Sequence, residues 1–440
     1  MFIYLNAHTM PVQVDAAYYA SDLVVRILPT RGVGVRTPYH IALLLDTSGS
    51  MEGAPIAAVI RTLHLLIDRM EEMDMLTLIQ YAGSASLLVE SANMNTRAKT
   101  DIHRMVDRLT ADGGTNMEEA IELLGGVSEG SPIDAVFLMT DGHVNAGITN
   151  ATGLLRLLSA RVASGTPINT LGFGTSHNAA MLRDMAVRSC GSYTYADATE
   201  LIPAIIGDII GGLIDMVGSN ARLAVLPGGY CLELGVDVSR PEVYNVGPLI
   251  ANKPQWVVFR GPFGPFGPQG GPQGGPQGGP VQLMWIEDGI QQSCIVGTNG
   301  ALDMMEMEEQ VQRVHLVRTM TTVSEMITRR DYDGAISELN MAENRLAHSP
   351  AVGRSFILRL QAQVDEMLDD VRQQQEPMVD ENVDMLTRMV SNVTALGTQH
   401  GFFLSRNTTA QDPDVISSPF STPHQRQATA DMTQRFQEPN

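Results

Sequence analysis

Leu43–Gly53, LLLDTSGSMEG, sets Asp-Thr-Ser-Gly-Ser directly behind an apolar run. Two chemistries fit those letters. Either Asp46 is one of two carboxylates that share a proton to cleave a bond, or it belongs to an oxygen-lined cup that holds a cation. The flanking residues separate the two. Ile41–Leu45 is wholly apolar, as expected of a parallel strand covered on both faces. Ile56, Val59, Ile60, Leu63, Leu66, Ile67 and Met70 then recur at steps of three and four, with Pro55 in the first turn, where its missing N–H costs nothing. A strand running straight into a helix begins an α/β unit; a cleaving aspartate would instead need further β-structure and a partner carboxylate. No second Asp-Thr-Gly occurs in the chain, and Asp141 lies in the reversed order Thr-Asp-Gly.

The same alternation continues outward. Strands are expected at 76–81, 85–90, 135–139 and 168–173, with helices near 97–109, 115–125, 151–161 and 178–188, and a closing helix at 201–217. That order predicts a doubly wound, mainly parallel sheet with helices on both faces. Beyond it the strands RLAVL, CLELGVDV, QWVVFR and VQLMWIE are short and read as an antiparallel sandwich. Residues 22–29, DLVVRILP, have the same character, so residues 1–38 are expected to join 219–300 in one discontinuous β-domain with the α/β unit, 39–218, inserted in it. The Gly/Pro-rich run within 261–280 changes period at Gly270, which excludes collagen and predicts an expanded hairpin loop. Residues 301–406 show helical spacing, at Val311, Val314, Val317, Val323 and Ile327, then Ala335, Leu339, Ala342 and Leu346, then Phe356, Leu360, Val364 and Met367. A helical bundle is expected there. Residues 407–440 are expected to be a polar tail without a core.

Composition excludes several functions. The 440 residues carry 29 basic against 49 acidic side chains, a net charge of -20, which opposes binding to nucleic acid or to an anionic membrane surface. Cys190, Cys231 and Cys294 are scattered and odd in number, so neither a disulfide framework nor a zinc ribbon is encoded. No run reaches the roughly 20 apolar residues of a membrane span, and no signal peptide is recognisable. An intracellular protein is expected.

In a doubly wound sheet, ligands bind at the carboxyl ends of the strands. Three groups of residues fall there: Asp46, Ser48 and Ser50 behind the first strand, Thr115 in ADGGTN, and Asp141 in FLMTDG. Each alone also reads as an N-cap, a turn or a strand exit. Together they supply two carboxylates and three hydroxyls, an all-oxygen set suited to a hard cation, Mg²⁺ first, with Mn²⁺ or Ca²⁺ as alternatives. These five residues match all five positions of the metal-ion-dependent adhesion site of the von Willebrand factor A family, which the chain resembles. The resemblance implies that Ser48, Ser50 and Thr115 contact the metal and that Asp46 and Asp141 act largely through water. It also implies a coordination position left for an Asp or Glu of a protein partner.

The segment GFGTSHNAAMLRDMAVRSCGSYTYADATELIPAIIGDIIGGLIDMV resembles the closing half of this domain in intracellular proteins that combine it with a β-sandwich and a helical region. Among these are plant RING-type ubiquitin ligases and proteins with the helical domain that accompanies Hint modules. RRDYDGAISELNMAENRLAHSPA resembles that helical domain, and STPHQRQATADMT its extension. A RING needs eight paired Cys or His ligands, so ligase activity is not carried over. The expected function is non-enzymatic, metal-dependent protein binding or scaffolding. The alternative is an adaptor or substrate-recognition subunit of a ubiquitin-ligase or ATPase assembly.

Overall fold

Two strands, β1 (Val12–Tyr19) and β2 (Asp22–Pro29), precede the α/β unit and pair antiparallel. The structure, a computed structural model, describes residues 12–20, 22–30, 38–141, 144–163, 165–173, 177–196, 199–224, 229–232, 236–238, 243–260, 281–287, 290–296, 302–373, 379–399 and 420–437. The chain divides into two compact units, Met1–Gly34 with Val217–Met389, and Val35–Met216 with Val390–Asn440.

In the second of these units the chain alternates as its periodicity predicts. The elements are β3 (His40–Asp46), α1 (Ala54–Arg69), β4 (Met75–Tyr81), β5 (Ala85–Asn93), α2 (Thr96–Val106), α3 (Met117–Gly130), β6 (Ala135–Thr140), α4 (Ala151–Arg161), β7 (Ile168–Phe173), α5 (Ala179–Ser189), β8 (Tyr193–Ala196) and α6 (Ile202–Ile214). They form a six-stranded sheet in the order β5-β4-β3-β6-β7-β8, parallel except for β5. Every residue of β3, β6 and β7 is buried, which explains their unbroken apolar runs: a central parallel strand has no solvent face to alternate toward. This is the doubly wound, Rossmann-like fold read from the sequence.

The other unit holds β1, β2, β9 (Met216–Ala224, from Val217), β10 (Gly229–Cys231), β11 (Val236–Val238), β12 (Val243–Ile250), β13 (Gln255–Arg260), β14 (Val281–Glu287) and β15 (Ile290–Val296). One sheet runs β1-β2-β13-β10-β11 and the other β12-β9-β14-β15. Residues 22–29 therefore pair with a strand more than 200 residues away, with Val25 opposite Val257 and Leu23 opposite Phe259. Ala16, Val25, Ile27 and Phe259 of the first sheet share a core with Ala221, Leu249, Leu283 and Trp285 of the second. The expected loop at 261–280 lies outside the described residues.

Two expectations need correction. The helices α7 (Met304–Thr328), α8 (Tyr332–Ala347) and α9 (Ser355–Gln373) belong to the same compact unit as the sandwich instead of forming a domain of their own over 301–406. The reason is packing: α7 lays Met307, Val311 and Val314 on Val24, Trp256 and Val258, the outer side of the first sheet. α10 (Val379–Thr398) spans the point where the second unit resumes. The second correction concerns 407–440. Pro423–Gln437 is a helix, α11, packed along α6, and Met432 sits fully buried in the core of the α/β unit. On α9 the inward face is Ile357, Leu360, Val364 and Val371, with Phe356 only half-buried.

Candidate metal centre

Parallel pairing brings the carboxyl ends of β3, β4 and β6 side by side, with Asp46 opposite Tyr81. Three loops leave this edge and are tied by backbone hydrogen bonds. Thr47 N–H donates to the Tyr81 carbonyl (2.8 Å), Gly49 N–H to Gly113 (3.0 Å), Asp112 N–H to Thr47 (2.9 Å) and Asn116 N–H to Ala82 (2.7 Å). The turn after β3 is a short 3-10 segment, Gly49–Met51, and the chain enters α1 at Gly53.

Asp46 is completely buried. One of its carboxylate oxygens accepts from Ser48 N–H at 2.9 Å and the other from the Thr140 hydroxyl. Ser48 and Ser50 hydroxyls lie 3.1 Å apart, and Ser50 donates to Asp141 Oδ1 at 2.7 Å. Ser48, Thr115 and Asp141 are buried, whereas Ser50 is exposed at the mouth. Four of the five expected residues are thus linked by hydrogen bonds. Thr115 is bonded to none of the other four among the described residues; its backbone is tied instead to Asn145 and Ala146, in the loop that follows Asp141.

Burial raises the pKa of Asp46, opposed by its hydrogen bonds from Ser48 and Thr140. Burial also raises Asp141, helped by the charge of Asp46 and opposed by the bond from Ser50. Tyr81, buried beneath them, is pushed well above its ordinary value by burial and by the Asp46 charge. No basic side chain among the described residues pairs with either aspartate. Two nearby buried carboxylates without a cationic partner are costly, because each disfavours the charge of the other. A divalent cation would relieve both. The donor set fits one: two carboxylates and three hydroxyls, all oxygen, opening to solvent at Ser50. No group of three or more His, Cys, Asp or Glu side chains gathers in metal-binding array among the described residues.

His177 precedes α5, but its cap is Asn178, whose side chain accepts from Met181 N–H; the buried imidazole instead meets the Tyr193 hydroxyl at 2.8 Å.

The family model of the von Willebrand factor type A domain matches residues 39–195. The α/β unit carries a von Willebrand factor type A domain. Protein sll0103 of Synechocystis sp. is 33% identical across 167 residues, covering 37% of this chain and 38% of that one. YfbK of Escherichia coli is 31% identical across 193 residues (42% and 33%). The E3 ubiquitin-protein ligase WAVH1 of Arabidopsis thaliana is 24% identical across 158 residues (31% and 23%). The chain spans well under half the length of each of these relatives. Two solved structures are similar over most of the chain. One is a von Willebrand factor type A protein from Catenulispora acidiphila (TM-score 0.62, 13% identity, 86% of this chain and 94% of that one). The other is the ArnB paralog VWA2 from Sulfolobus acidocaldarius (0.53, 14%, 88% and 98%). At such identities the likeness is one of fold. Among the described residues no helix is long and apolar enough to cross a membrane.

Proposed function

We propose that this protein is a non-enzymatic binding protein whose type A domain grips an Asp or Glu of a protein partner through a divalent cation, Mg²⁺ first. The observation that supports this reading is that Asp46, Ser48, Ser50 and Asp141 are joined by hydrogen bonds at one sheet edge, two buried acids with no basic partner among the described residues. Ser48, Ser50 and Thr115 would face the cation, while Asp141, which accepts from Ser50, and Asp46, held on both oxygens by Ser48 N–H and Thr140, would act from behind them. When bound, the cation supplies a Lewis-acidic position that a partner carboxylate can fill. Hydroxyl ligands neutralise little of its charge, so an anionic ligand gains more there than it would beside several carboxylates. The exposed Ser50 marks the side from which a partner approaches.

The test is capture of the protein's partner with Mg²⁺ or Mn²⁺, with EDTA, and with the Asp46→Ala, Asp141→Ala double variant. Release by EDTA without cleavage, recovery with Mn²⁺ and loss in the double variant are the expected results. Capture that survives both chelation and the double substitution rejects the reading. The likeness to the plant ligase favours a second reading, an adaptor or substrate-recognition subunit of a ubiquitin-ligase assembly. Metal-dependent co-purification of a ubiquitin ligase would select it.

A further inference from the structure

We propose that Asn145 is the positioning residue that holds Thr115 in place for cation binding, a role that rests on the five-residue cup described above. Thr115 is buried, yet its hydroxyl is not held by the other four residues of the cup. Its backbone is held instead. Thr115 N–H donates to Asn145 Oδ1 at 2.8 Å, and the Thr115 carbonyl accepts from the N–H groups of Asn145 (3.1 Å) and Ala146 (3.2 Å). Three hydrogen bonds thus fix both peptide groups that flank the Thr115 side chain, and with them the direction of its Cα–Cβ bond.

Asn145 comes four residues after Asp141, so the loop that delivers one donor takes hold of the loop that delivers another. A second tie lies one step further on, where Ile148 N–H donates to Glu118 Oε2 at 2.7 Å. The neighbour of Thr115 is shaped to this contact. A Cβ on Gly114 would stand 2.7 Å from Asn145 Oδ1, closer than real Cβ contacts come, so glycine there leaves room for the Asn145 amide. Asn145 makes these bonds from an exposed position, and no hydrogen bond joins its side chain to Asp46, Ser48, Ser50 or Asp141 among the described residues. It therefore acts on the cup through Thr115. What the position requires is an acceptor oxygen on a short side chain: Asp retains it, and Leu has nearly the same size without it.

The test titrates the full chain with Mn²⁺, reading the free-ion paramagnetic signal, in wild type, Asn145→Leu, Asn145→Asp, Gly114→Ala and Asp141→Ala. Asp141→Ala should abolish binding. Asn145→Leu should weaken it about tenfold or more, the size usual for loss of a group that orients a metal ligand, while Asn145→Asp stays within about threefold of wild type by the same reasoning. Gly114→Ala should reproduce the Leu variant, because its methyl group pushes the same amide away without touching a donor. In chelator both Asn145 variants should melt with wild type. Wild-type affinity in Asn145→Leu, with Asp141→Ala inactive, overturns the positioning role and leaves the cup intact. Equal loss in the Leu and Asp variants, with equal loss of melting temperature in chelator, makes Asn145 merely structural and overturns it too. If Asp141→Ala binds as wild type does, or wild type binds no Mn²⁺, the cup reading falls and this role with it.

Discussion

Asp141 and Thr115 would contribute differently to the proposed cup. Asp141→Ala removes one of two buried charges and the acceptor for Ser50, so cation binding should be lost, read by calorimetric titration with Mg²⁺. Thr115→Ala removes a neutral donor and should weaken binding by about tenfold, with Thr115→Ser restoring it. Acidity acts on the same group of residues. Since burial raises both Asp46 and Asp141, protons compete with the cation at a pH above the ordinary carboxylate range. Mn²⁺ affinity should therefore begin to fall on acidification before that of an exposed carboxylate site does; a profile no different from such a site contradicts the assignment. Asp46, Ser48, Ser50 and Asp141 could be proposed from sequence because they stand directly behind strands, and Thr115 because ADGGTN leads into a helix. Asn145 could not. A lone Asn in a loop is ordinary turn chemistry, and only the fold shows that its amide meets a peptide thirty residues away.

At the scale of elements, the C-terminal helix shows where composition misleads. Its polar sequence suggested a tail, but Ser421, Thr422, Gln425 and Thr429 are buried with their polar groups satisfied. Ser421 donates to Asp208 and Thr422 to Asp215, both buried carboxylates of the α6 segment, and His424 Nδ1 lies 2.8 Å from Asp215. The start signal was present in Thr-Pro-His-Gln. Thr422 accepts from Gln425 N–H, and the Gln425 side chain accepts from Thr422 N–H, a capping box with Pro at the first helical position. Ala428, Met432 and Phe436 at steps of four were the rest of it, too few for hydrophobic periodicity to outvote the polar average. The two helices approach closely because α6 carries glycines: a Cβ on Gly211 would stand 2.6 Å from the Gln425 Cα. Gly211→Ala should displace α11 and cost about 1–3 kcal/mol by overpacking. Met432→Ala should cost about 2–5 kcal/mol, the range for emptying a buried methionine site. Both are measurable by denaturant unfolding, with earlier proteolysis near residue 420 as the structural readout. Unchanged stability in both variants would mean that α11 does not contribute to the core.

At the scale of the whole chain, two units with separate hydrophobic cores should report two different agents. A ligand that binds only the folded state stabilises by RT ln(1 + [L]/Kd), about 2.7 kcal/mol at a hundredfold excess over Kd. Mg²⁺ should therefore raise the melting transition of the type A unit, and the Asp141→Ala variant should lose that rise. The sandwich unit answers to protons. There Arg260 donates two hydrogen bonds to the buried Asp22, at 2.8 and 2.9 Å, and its guanidinium also lies 3.3 Å from His315 Nε2. Burial, then the positive charges of Arg345 and Arg260, lower the pKa of His315 to about 4. An unfolded histidine titrates near 6.5, so between those two values the unfolded chain binds more protons than the folded one. The stability that His315 contributes is complete above pH 6.5 and declines as pH falls toward 4, by on the order of 1–2 kcal/mol once its partial exposure is discounted. Differential scanning calorimetry from pH 7 to pH 4, with and without Mg²⁺, should move the two transitions independently. His315→Gln keeps a neutral acceptor for Arg260 but cannot be protonated, so the acid-sensitive transition should flatten in that variant alone. If it falls with pH as steeply as in wild type, the acid sensitivity of the sandwich lies elsewhere than in the Asp22, Arg260 and His315 network.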